Sequence, residues 1–297
     1  MADAGRIFLG REREAGGLSF ESVAAHADRF DLFARFAKAS GVGRMERIDS
    51  QLVQAYGRTL ASQVQAGEVS AATAQNRVSS VNTVLSLATA SNWRSVSPTK
   101  DCGIQERSHV RSTAPTGFDR AALAQATDAL NPRGQSFCSL ARDFGLRTKE
   151  AALLDCKKAL RDAEKHGQVR ITFGTKGGMA RTVPITSEAQ IETLREAAHA
   201  QGDAKNLIPQ EVSWAAFQAG EMRQFREHLQ THGIEKLHDL RAAYACQRYA
   251  ELTGVAAPVF GQPNPNRQAD LAARQVIAAE LGHGRVDVLA SYVGGRK

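Results

Sequence analysis

Apolar residues recur at intervals of three and four positions through the first third of the chain, a spacing that predicts α-helices. The predicted helices begin near Ser19, at an Asp49–Ser50 cap and at Ser70, where small polar residues can cap a helix. Such apolar stripes most simply form the core of a small bundle. We therefore predict a helical domain over residues 19–94, preceded by an N-terminal tail over residues 1–18.

The helical period is lost over residues 95–115, which read SVSPTKDCGIQERSHVRSTAP. This stretch contains Pro98 and Pro115, and polar and basic residues dominate it. Such a composition is typical of a linker between domains. The sequence thus predicts a second domain over residues 116–297.

The second domain is predicted to be mostly helical, with one β-hairpin. Apolar and polar residues alternate over 169–173 and again over 183–185, and Gly177–Gly178 supplies a turn between them. Helices are predicted at 187–200, 213–231, 238–253 and 268–281, and a loop rich in Pro, Gly and Asn at 254–267. The predicted fold class is mostly α with a small β-hairpin, an α+β domain that follows a helical bundle.

The apolar runs of the chain are too short for a membrane protein. No stretch approaches the roughly 18 consecutive apolar residues that span a bilayer, and the N-terminus has no apolar run of signal-peptide length. We expect a soluble, cytoplasmic protein that does not associate with membranes.

The four cysteines are widely spaced and form no C-x-x-C pair, which favours reduced, buried thiols over a disulfide framework. They are Cys102, Cys138, Cys156 and Cys246. His228 and His232 lie four positions apart and would share a helix face, but no third metal ligand is evident near them. We expect no metal site and no cofactor.

Six residues between positions 147 and 292 carry the candidate chemistry. Two arginines, a lysine and two histidines can surround a phosphate, and a tyrosine can attack it. They are Arg147, Lys176, His238, Arg241, His283 and Tyr292, in the segments FGLRTKE, FGTKGGMAR, LHDLRAAYA and LGHGRVDVLASYV. The series resembles, in content and order, the active-site residues of the tyrosine recombinases, the family of phage-type integrases and Xer-type resolvases.

The resemblance implies DNA cleavage and rejoining without metal or ATP. Tyr292 is then the nucleophile that forms a 3′-phosphotyrosyl link, and Lys176 is the general acid that protonates the departing 5′-oxygen. His283 would donate a hydrogen bond to a non-bridging oxygen. The phosphotyrosyl ester keeps the energy of the broken bond, so that rejoining needs no ATP.

The physical chemistry of these side chains agrees with such roles. A phenol, with an ordinary pKa of about 10, needs positive potential and a proton acceptor to attack a phosphate. Arg147 and Arg241 offer planar forks of donors that can stabilise a charged, pentavalent transition state. His238 shares a helix face with Arg241 and can accept the tyrosine proton or bond the phosphate. Glu150 matches an acidic position of the family's first motif, and we expect it to orient a nearby cation.

The net charge of +7 is concentrated around the proposed phosphate ligands. Residues 133–185 hold 11 basic and 5 acidic side chains, whereas residues 186–297 hold 12 and 13. A basic run is often only a solvated face. Because this run carries Arg147 and Lys176, it favours an electrostatic footprint for nucleic acid.

By the same resemblance, residues 19–94 are a core-binding DNA domain that closes with the catalytic domain around duplex DNA as a C-shaped clamp. This two-domain plan is similar to that of the Xer type. The third predicted helix opens with polar residues that can meet base edges or phosphates, although an ordinary exposed helix face has the same composition. These candidate DNA-reading residues are Thr73, Asn76 and Arg77.

The chain also departs from the family pattern. Arg241 and His283 lie 42 positions apart, more than in many relatives, and the loop at 254–267 is the predicted insertion. Ala242–Ala243 follow the second arginine, where many relatives carry a histidine and a hydroxyl residue. The insertion and the segment LGHGRVDV are similar to integrases of mobile elements.

The leading hypothesis is a site-specific recombinase or integrase that exchanges strands as a tetramer on specific double-stranded DNA sites, in association with the nucleoid. An accessory DNA-bending factor is a possible further partner. Two alternatives remain open: a type IB-like enzyme that nicks and relaxes DNA, and a non-catalytic DNA-binding derivative.

Overall fold

The computed structural model describes residues 1–261 and 264–296 and divides the chain into two compact units, 1–108 and 109–297. The described residues are mostly helical, with one two-stranded antiparallel sheet in the second unit. The predicted fold class is therefore confirmed. Among the described residues, no helix is both long and apolar enough to cross a membrane.

The first unit is a bundle of four α-helices. They are α1 (Ala2–Glu14), α2 (Phe20–Ala39), α3 (Ser50–Gln65) and α4 (Ala71–Ala88). The side chains of Ser19, Asp49 and Ser70 each accept a hydrogen bond from the backbone N–H three residues ahead, and so cap α2, α3 and α4. The apolar stripes meet in a core that includes Phe30, Phe33, Leu60, Val78 and Val81.

The predicted N-terminal tail is wrong for residues 2–14, which form α1 and pack on α2 and α4. Leu9 is fully buried, and Gly5 lies against Phe30 so closely that a Cβ would come within 2.6 Å of that ring. This helix carries few apolar residues among many charges, so it has no clear stripe to recognise. Its stability comes from packing on the bundle rather than from its own pattern.

The predicted linker at 95–115 is also more ordered than its composition indicates. Val96, Cys102 and Ile104 are buried in the core of the first unit, and the side chain of Asn82 bonds both backbone groups of Val96. Residues 105–110 are exposed. Isolated apolar residues in an extended segment can thus fill a core without a helical period. The hydrophobic pattern therefore did not predict that these residues are buried.

The described residues of the second unit form ten further α-helices and two β-strands around one core. The helices are α5 (Arg120–Thr127), α6 (Pro132–Phe144), α7 (Thr148–Leu153), α8 (Cys156–His166), α9 (Glu188–Gln201), α10 (Trp214–Ala219), α11 (Glu221–Thr231), α12 (Leu237–Thr253), α13 (Arg267–Glu280) and α14 (Ala290–Val293), and the strands are β1 (Gln168–Ile171) and β2 (Arg181–Pro184). Helix α12 packs against α6, α13 and α14, so its residues reach every side of the core.

The predictions for the second unit hold with local corrections. Helices α9, α12 and α13 begin and end within one residue of their predicted bounds. The predicted helix at 213–231 is instead two helices, because the chain bends at Gly220. The described part of the 254–267 segment includes a short 3-10 turn at Pro258–Phe260, and positions 262 and 263 lie outside the described residues. All four cysteines are free and buried.

The hairpin is shorter than the alternation predicts. Val169 pairs with Val183 across the two strands, but the connection between them extends over residues 172–180. Phe173, predicted to continue the first strand, lies in this connection and is 70% exposed. Gly177 and Gly178 both have positive φ, as a turn requires.

Candidate active site

Arg241 lies at the centre of the site and is completely buried. Its guanidinium donates to the backbone oxygens of Gly145 and Leu281, and its Nε is 3.3 Å from the hydroxyl of Tyr292. Burial lowers the pKa of Arg241 to about 10, although the nearby tyrosine favours its charged form. The guanidinium therefore stays positive at neutral pH, fixed by carbonyls from the ends of α6 and α13.

Gly145 makes this arrangement possible. It ends α6 in the left-handed conformation, with φ of 58°, where glycine is favoured. A Cβ at this position would lie 2.6 Å from the Tyr244 ring and 2.7 Å from Leu281. The close packing directs the Gly145 carbonyl at Arg241 and explains why this turn of the FGLR segment contains glycine.

Tyr292 lies on α14 with only 3% of its surface exposed. Its hydroxyl is 3.0 Å from Nε2 of His283, which is itself 3.3 Å from Nη2 of Arg241. Because an arginine can only donate, Nε2 of His283 must accept if that contact is a hydrogen bond. The neutral tautomer with its proton on Nδ1 satisfies this condition. The single lone pair of Nε2 then faces both donors, and the tyrosine O–H at 3.0 Å is nearer than Arg241 at 3.3 Å.

His283 is held by the turn that follows α13. Its backbone N–H bonds the carbonyl of Ala278, and Gly282 before it adopts a positive φ of 67°. Burial, followed by the positive charges of Arg241 and Arg147, lowers the pKa of His283 to about 4. The imidazole is thus neutral at physiological pH and has a lone pair to offer, although the same shift makes it a weaker base than an ordinary imidazole.

His238 lies on the first turn of α12, with its ring centroid 5.1 Å from that of Tyr292. Its outer side is exposed, but protein atoms surround it on the inner side. This loss of hydration, followed by the charge of Arg241, lowers the pKa of His238. The structure therefore places His283 in contact with the tyrosine hydroxyl and His238 beside the tyrosine ring.

Arg147 and Glu150 form the rim of the site at the start of α7. The backbone N–H of Arg147 donates to Glu150 at 2.7 Å, and its Nη1 donates to the same carboxylate at 2.8 Å. Glu150 is fully buried, which alone would raise its pKa. Hydrogen bonds from Arg181 and Arg147 outweigh burial and lower the pKa, so the carboxylate remains ionised beneath the arginines.

Arg181 is a site residue that the sequence analysis missed. It lies on β2, is 7% exposed, and bonds both oxygens of Glu150 as well as the backbone oxygen of Glu280. One signal was present in the sequence. Arg181 occupies the inward register of the strand, two residues before the buried Val183, and a charge in that register requires a buried partner.

Lys176 is not gathered with the other five predicted residues. It is exposed in the hairpin connection, and the hydrogen bonds and ion pairs of the described chain include none between Lys176 and those five. The candidate DNA-reading residues lie in the first unit. Thr73 bonds the capping Ser70, and Asn76 accepts from Arg107, while Arg77 is half-buried.

Comparisons with known proteins show what this chain is similar to. Residues 110–247 match the family model described as Integrase. A dimer of a lambda integrase fragment bound to a COC′ core site is 15% identical with a TM-score of 0.63, covering 98% of this chain and 95% of that chain. No match was found among curated protein sequences.

Two other solved structures share the fold. The Tn1549 transposon integrase in complex with transposon right-end DNA is 10% identical with a TM-score of 0.65, covering 98% of this chain and 95% of that chain. The XerH site-specific recombinase bound to a palindromic difH substrate is 16% identical with a TM-score of 0.60, covering 94% and 78%. At these identities the similarity shows the fold alone.

The second unit thus has the fold of an integrase catalytic domain, with a buried tyrosine placed between an arginine and a histidine. Residues 110–247 are thus similar to the Integrase family, and the chain shares the fold of the lambda and Tn1549 integrases.

Proposed function

We propose that this protein is a site-specific DNA recombinase, the integrase of a mobile element, that cuts and rejoins DNA through a 3′-phosphotyrosyl intermediate. The observation that carries the proposal is the environment of one oxygen. The Tyr292 hydroxyl lies 3.0 Å from a histidine nitrogen that can take its proton and 3.3 Å from a buried guanidinium. This is an environment that converts a weakly acidic phenol into a nucleophile.

In the proposed cleavage step, the Tyr292 oxygen attacks the phosphorus while its proton passes to Nε2 of His283. The new bond joins phosphorus to the tyrosine oxygen, and the bond to the 5′-oxygen breaks. Lys176 supplies the proton that this leaving oxygen needs. Rejoining reverses each transfer, and no water, metal or nucleotide is consumed.

The contact with Tyr292 favours His283 over His238 as the proton acceptor. His238, beside the ring and exposed on its outer side, is placed to donate to a phosphate oxygen. The roles that the sequence suggested for the two histidines are therefore exchanged in this proposal. Only the geometry around the Tyr292 hydroxyl supports this exchange of roles between the two histidines.

The two arginines have different tasks. Arg241 already bonds two carbonyls, so it acts chiefly as a fixed positive charge under the phosphate. Arg147 is 23% exposed, and the bonds of its side chain within the described chain involve only Nη1. Its remaining donors are available to two phosphate oxygens. Glu150 and Arg181 hold Arg147 in that position.

Structures of relatives support the proposed partners. The XerH structure is a post-cleavage complex, and one lambda integrase structure is a tetramer bound to a Holliday junction. We propose that this chain likewise binds specific double-stranded sites and assembles as a tetramer on DNA, with an accessory DNA-bending factor as a further partner.

Covalent trapping tests the proposal. The purified protein is mixed with labelled fragments of the DNA that flanks its own gene and is then denatured in SDS, with Tyr292→Phe in parallel. We expect a protein–DNA adduct in the wild type alone. Binding without an adduct, on intact and nicked fragments, would overturn the catalytic proposal in favour of a DNA-binding derivative.

A second assay separates recombination from simple relaxation. One supercoiled plasmid lacks the site at which the covalent adduct forms, and a second plasmid carries two copies of that site. Each plasmid is incubated with the wild-type protein. We expect strand exchange only on the second plasmid. Relaxation of both plasmids to the same extent, without exchange, would identify a type IB-like enzyme instead.

A further inference from the structure

The segment that opens the second unit is bonded to two elements of the active site. The backbone N–H of Arg111 donates to the carbonyl of Ala290 at 2.8 Å, and its Nη2 donates to Asp239 at 2.9 Å. Ala290 begins α14, two residues before Tyr292, and Asp239 directly follows His238 on α12. Arg111 therefore joins the helix of the nucleophile to the helix of His238 and Arg241.

Further contacts fix the Arg111 side chain in this position. Its Nε donates to the carbonyl of Thr113 at 2.9 Å, and the hydroxyl of Thr116 donates to the other Asp239 oxygen at 3.0 Å. The side chains of Arg111 and Asp239 are only 12% and 16% exposed. An ion pair so shielded from water is screened far less than a surface pair, so it can restrain the two helices.

We propose that Arg111 is a positioning residue that holds Tyr292 and His238 in register by bonding Ala290 and Asp239. The proposal rests on the proposed function of the site. It assigns a role to a residue outside the six, in a segment that composition alone would class as a linker. Arg111 contacts neither DNA nor the phosphate in this role; it acts through the helices it joins.

Arginine suits this position because its donors point in two directions. Nε serves Thr113 while Nη2 serves Asp239, and a lysine ammonium has no such planar fork. Lysine can keep the charge and the bond to Asp239 while it loses the bond to Thr113. A lysine variant should therefore retain part of the effect, whereas glutamine, with no charge, should retain little.

The charges around His238 provide an independent readout. Arg241, Asp239, Arg111 and Arg147 all face it, and only Asp239 favours its protonated form. Removing the positive charge of Arg111 should raise the pKa of His238, and Asp239→Asn should lower it. Opposite shifts in these two variants would show that the Arg111–Asp239 pair lies beside His238 in solution, as the positioning role requires.

The test uses the full chain and a duplex that contains the site at which the covalent adduct forms. The duplex carries a nick, so that the cleaved strand end diffuses away. Single-turnover adduct formation is measured for Arg111→Gln, Arg111→Lys and Asp239→Asn. Arg195→Gln is the control, since Arg195 is a half-exposed arginine of α9 whose ion pairs lie away from the site. Binding of the same duplex is measured without cleavage by titration of each Tyr292→Phe double variant.

We expect Arg111→Gln to slow adduct formation about 10-fold or more, because ångström-scale misplacement in a site costs up to about 100-fold. Binding should change less than about threefold, Arg111→Lys should recover part of the rate, and Arg195→Gln should match the wild type. Combining Arg111→Gln with Asp239→Asn should cost no more than the larger single loss, since both remove one interaction.

Two results would overturn the assignment: a wild-type cleavage rate in folded Arg111→Gln, or a loss explained entirely by weaker binding. The pKa of His238, measured by NMR of the imidazole in the free protein, gives a result even if a variant cleaves poorly. Equal or same-sign shifts in Arg111→Gln and Asp239→Asn would also reject the role. If the wild type forms no adduct, the proposed function fails, which is a distinct outcome.

Discussion

Arg181 donates two hydrogen bonds, of 2.6 and 2.7 Å, to the two oxygens of Glu150, and both side chains are buried. The pair joins β2 of the hairpin to the start of α7, where Arg147 lies. Glu150 also bonds Arg147 and is 3.8 Å from Arg241. One carboxylate thus contacts both arginines that we propose to bind the phosphate, and Arg181 balances its charge.

Replacing Arg181 by methionine should destabilise the catalytic unit. Glu150 would lose its two-point partner while remaining buried, and breaking a buried pair costs about 3–5 kcal/mol. Because Arg147 still bonds the carboxylate, we expect a loss near the lower end of that range, about 3 kcal/mol, in the free energy of unfolding measured with urea. Arg170→Met is the matched control on the neighbouring strand, where the side chain is exposed, and it should change stability little. Equal losses in the two variants would contradict the role given to Arg181.

Gly174 should not tolerate alanine. Its φ is +72°, and a Cβ would lie 2.8 Å from the backbone carbon and oxygen of Lys149. Overpacking against backbone costs about 1–3 kcal/mol. Gly178 has nearly the same φ of +71°, but open space surrounds the position of its Cβ. The free energy of unfolding in urea should therefore fall more in Gly174→Ala than in Gly178→Ala, and the difference isolates the contact between the hairpin connection and α7. Equal values would show that the backbone at this contact yields at little cost.

Lowering the pH should destabilise the free protein through His283. Its pKa is about 4 in the folded state and 6.5 in the unfolded chain, so the unfolded chain binds more protons between those values. The free energy of unfolding should fall as pH drops from 6.5 toward 4, and His238, whose pKa is also lowered, should add to the fall. Urea titrations at pH 7, 6 and 5 measure it. The slope should be smaller in His283→Asn; an unchanged slope would remove His283 as the source.

Lys176→Ala should impair cleavage but not stability. Lys176 is exposed, so truncation removes no packing, and the unfolding free energy should stay within about 0.5 kcal/mol. A 5′-oxygen needs a proton to leave, whereas a thiol, with a pKa of about 8.5, leaves readily as its anion. If Lys176 is the general acid, a substrate with sulfur at the 5′-bridging position should restore adduct formation by the variant. A defect of equal size on both substrates would point to DNA binding instead.

The hydrophobic pattern by itself determined the helices whose apolar faces repeat regularly. The bounds of α9, α12 and α13 follow from the spacing of apolar residues, because each helix satisfies its own backbone hydrogen bonds. The sequence also named six candidate site residues by their types and order. Five of them lie together in the structure and Lys176 does not, and the catalytic roles of all six stay predictions. The same reading failed for α1 and for Val96 to Ile104, whose burial depends on surfaces supplied by other helices.

Tertiary structure alone decided how the candidate site is assembled. The bond from Arg241 to Gly145 joins residues 96 positions apart, and that from Arg111 to Asp239 joins residues 128 apart. No local periodicity encodes such contacts. The packing of the helices brings the Tyr292 hydroxyl to His283 rather than to His238. It also brings Arg181 to Glu150 and Arg111 to Asp239. The sequence supplied the chemical groups, and burial around α12 fixed their geometry because each buried charge needed a partner within reach.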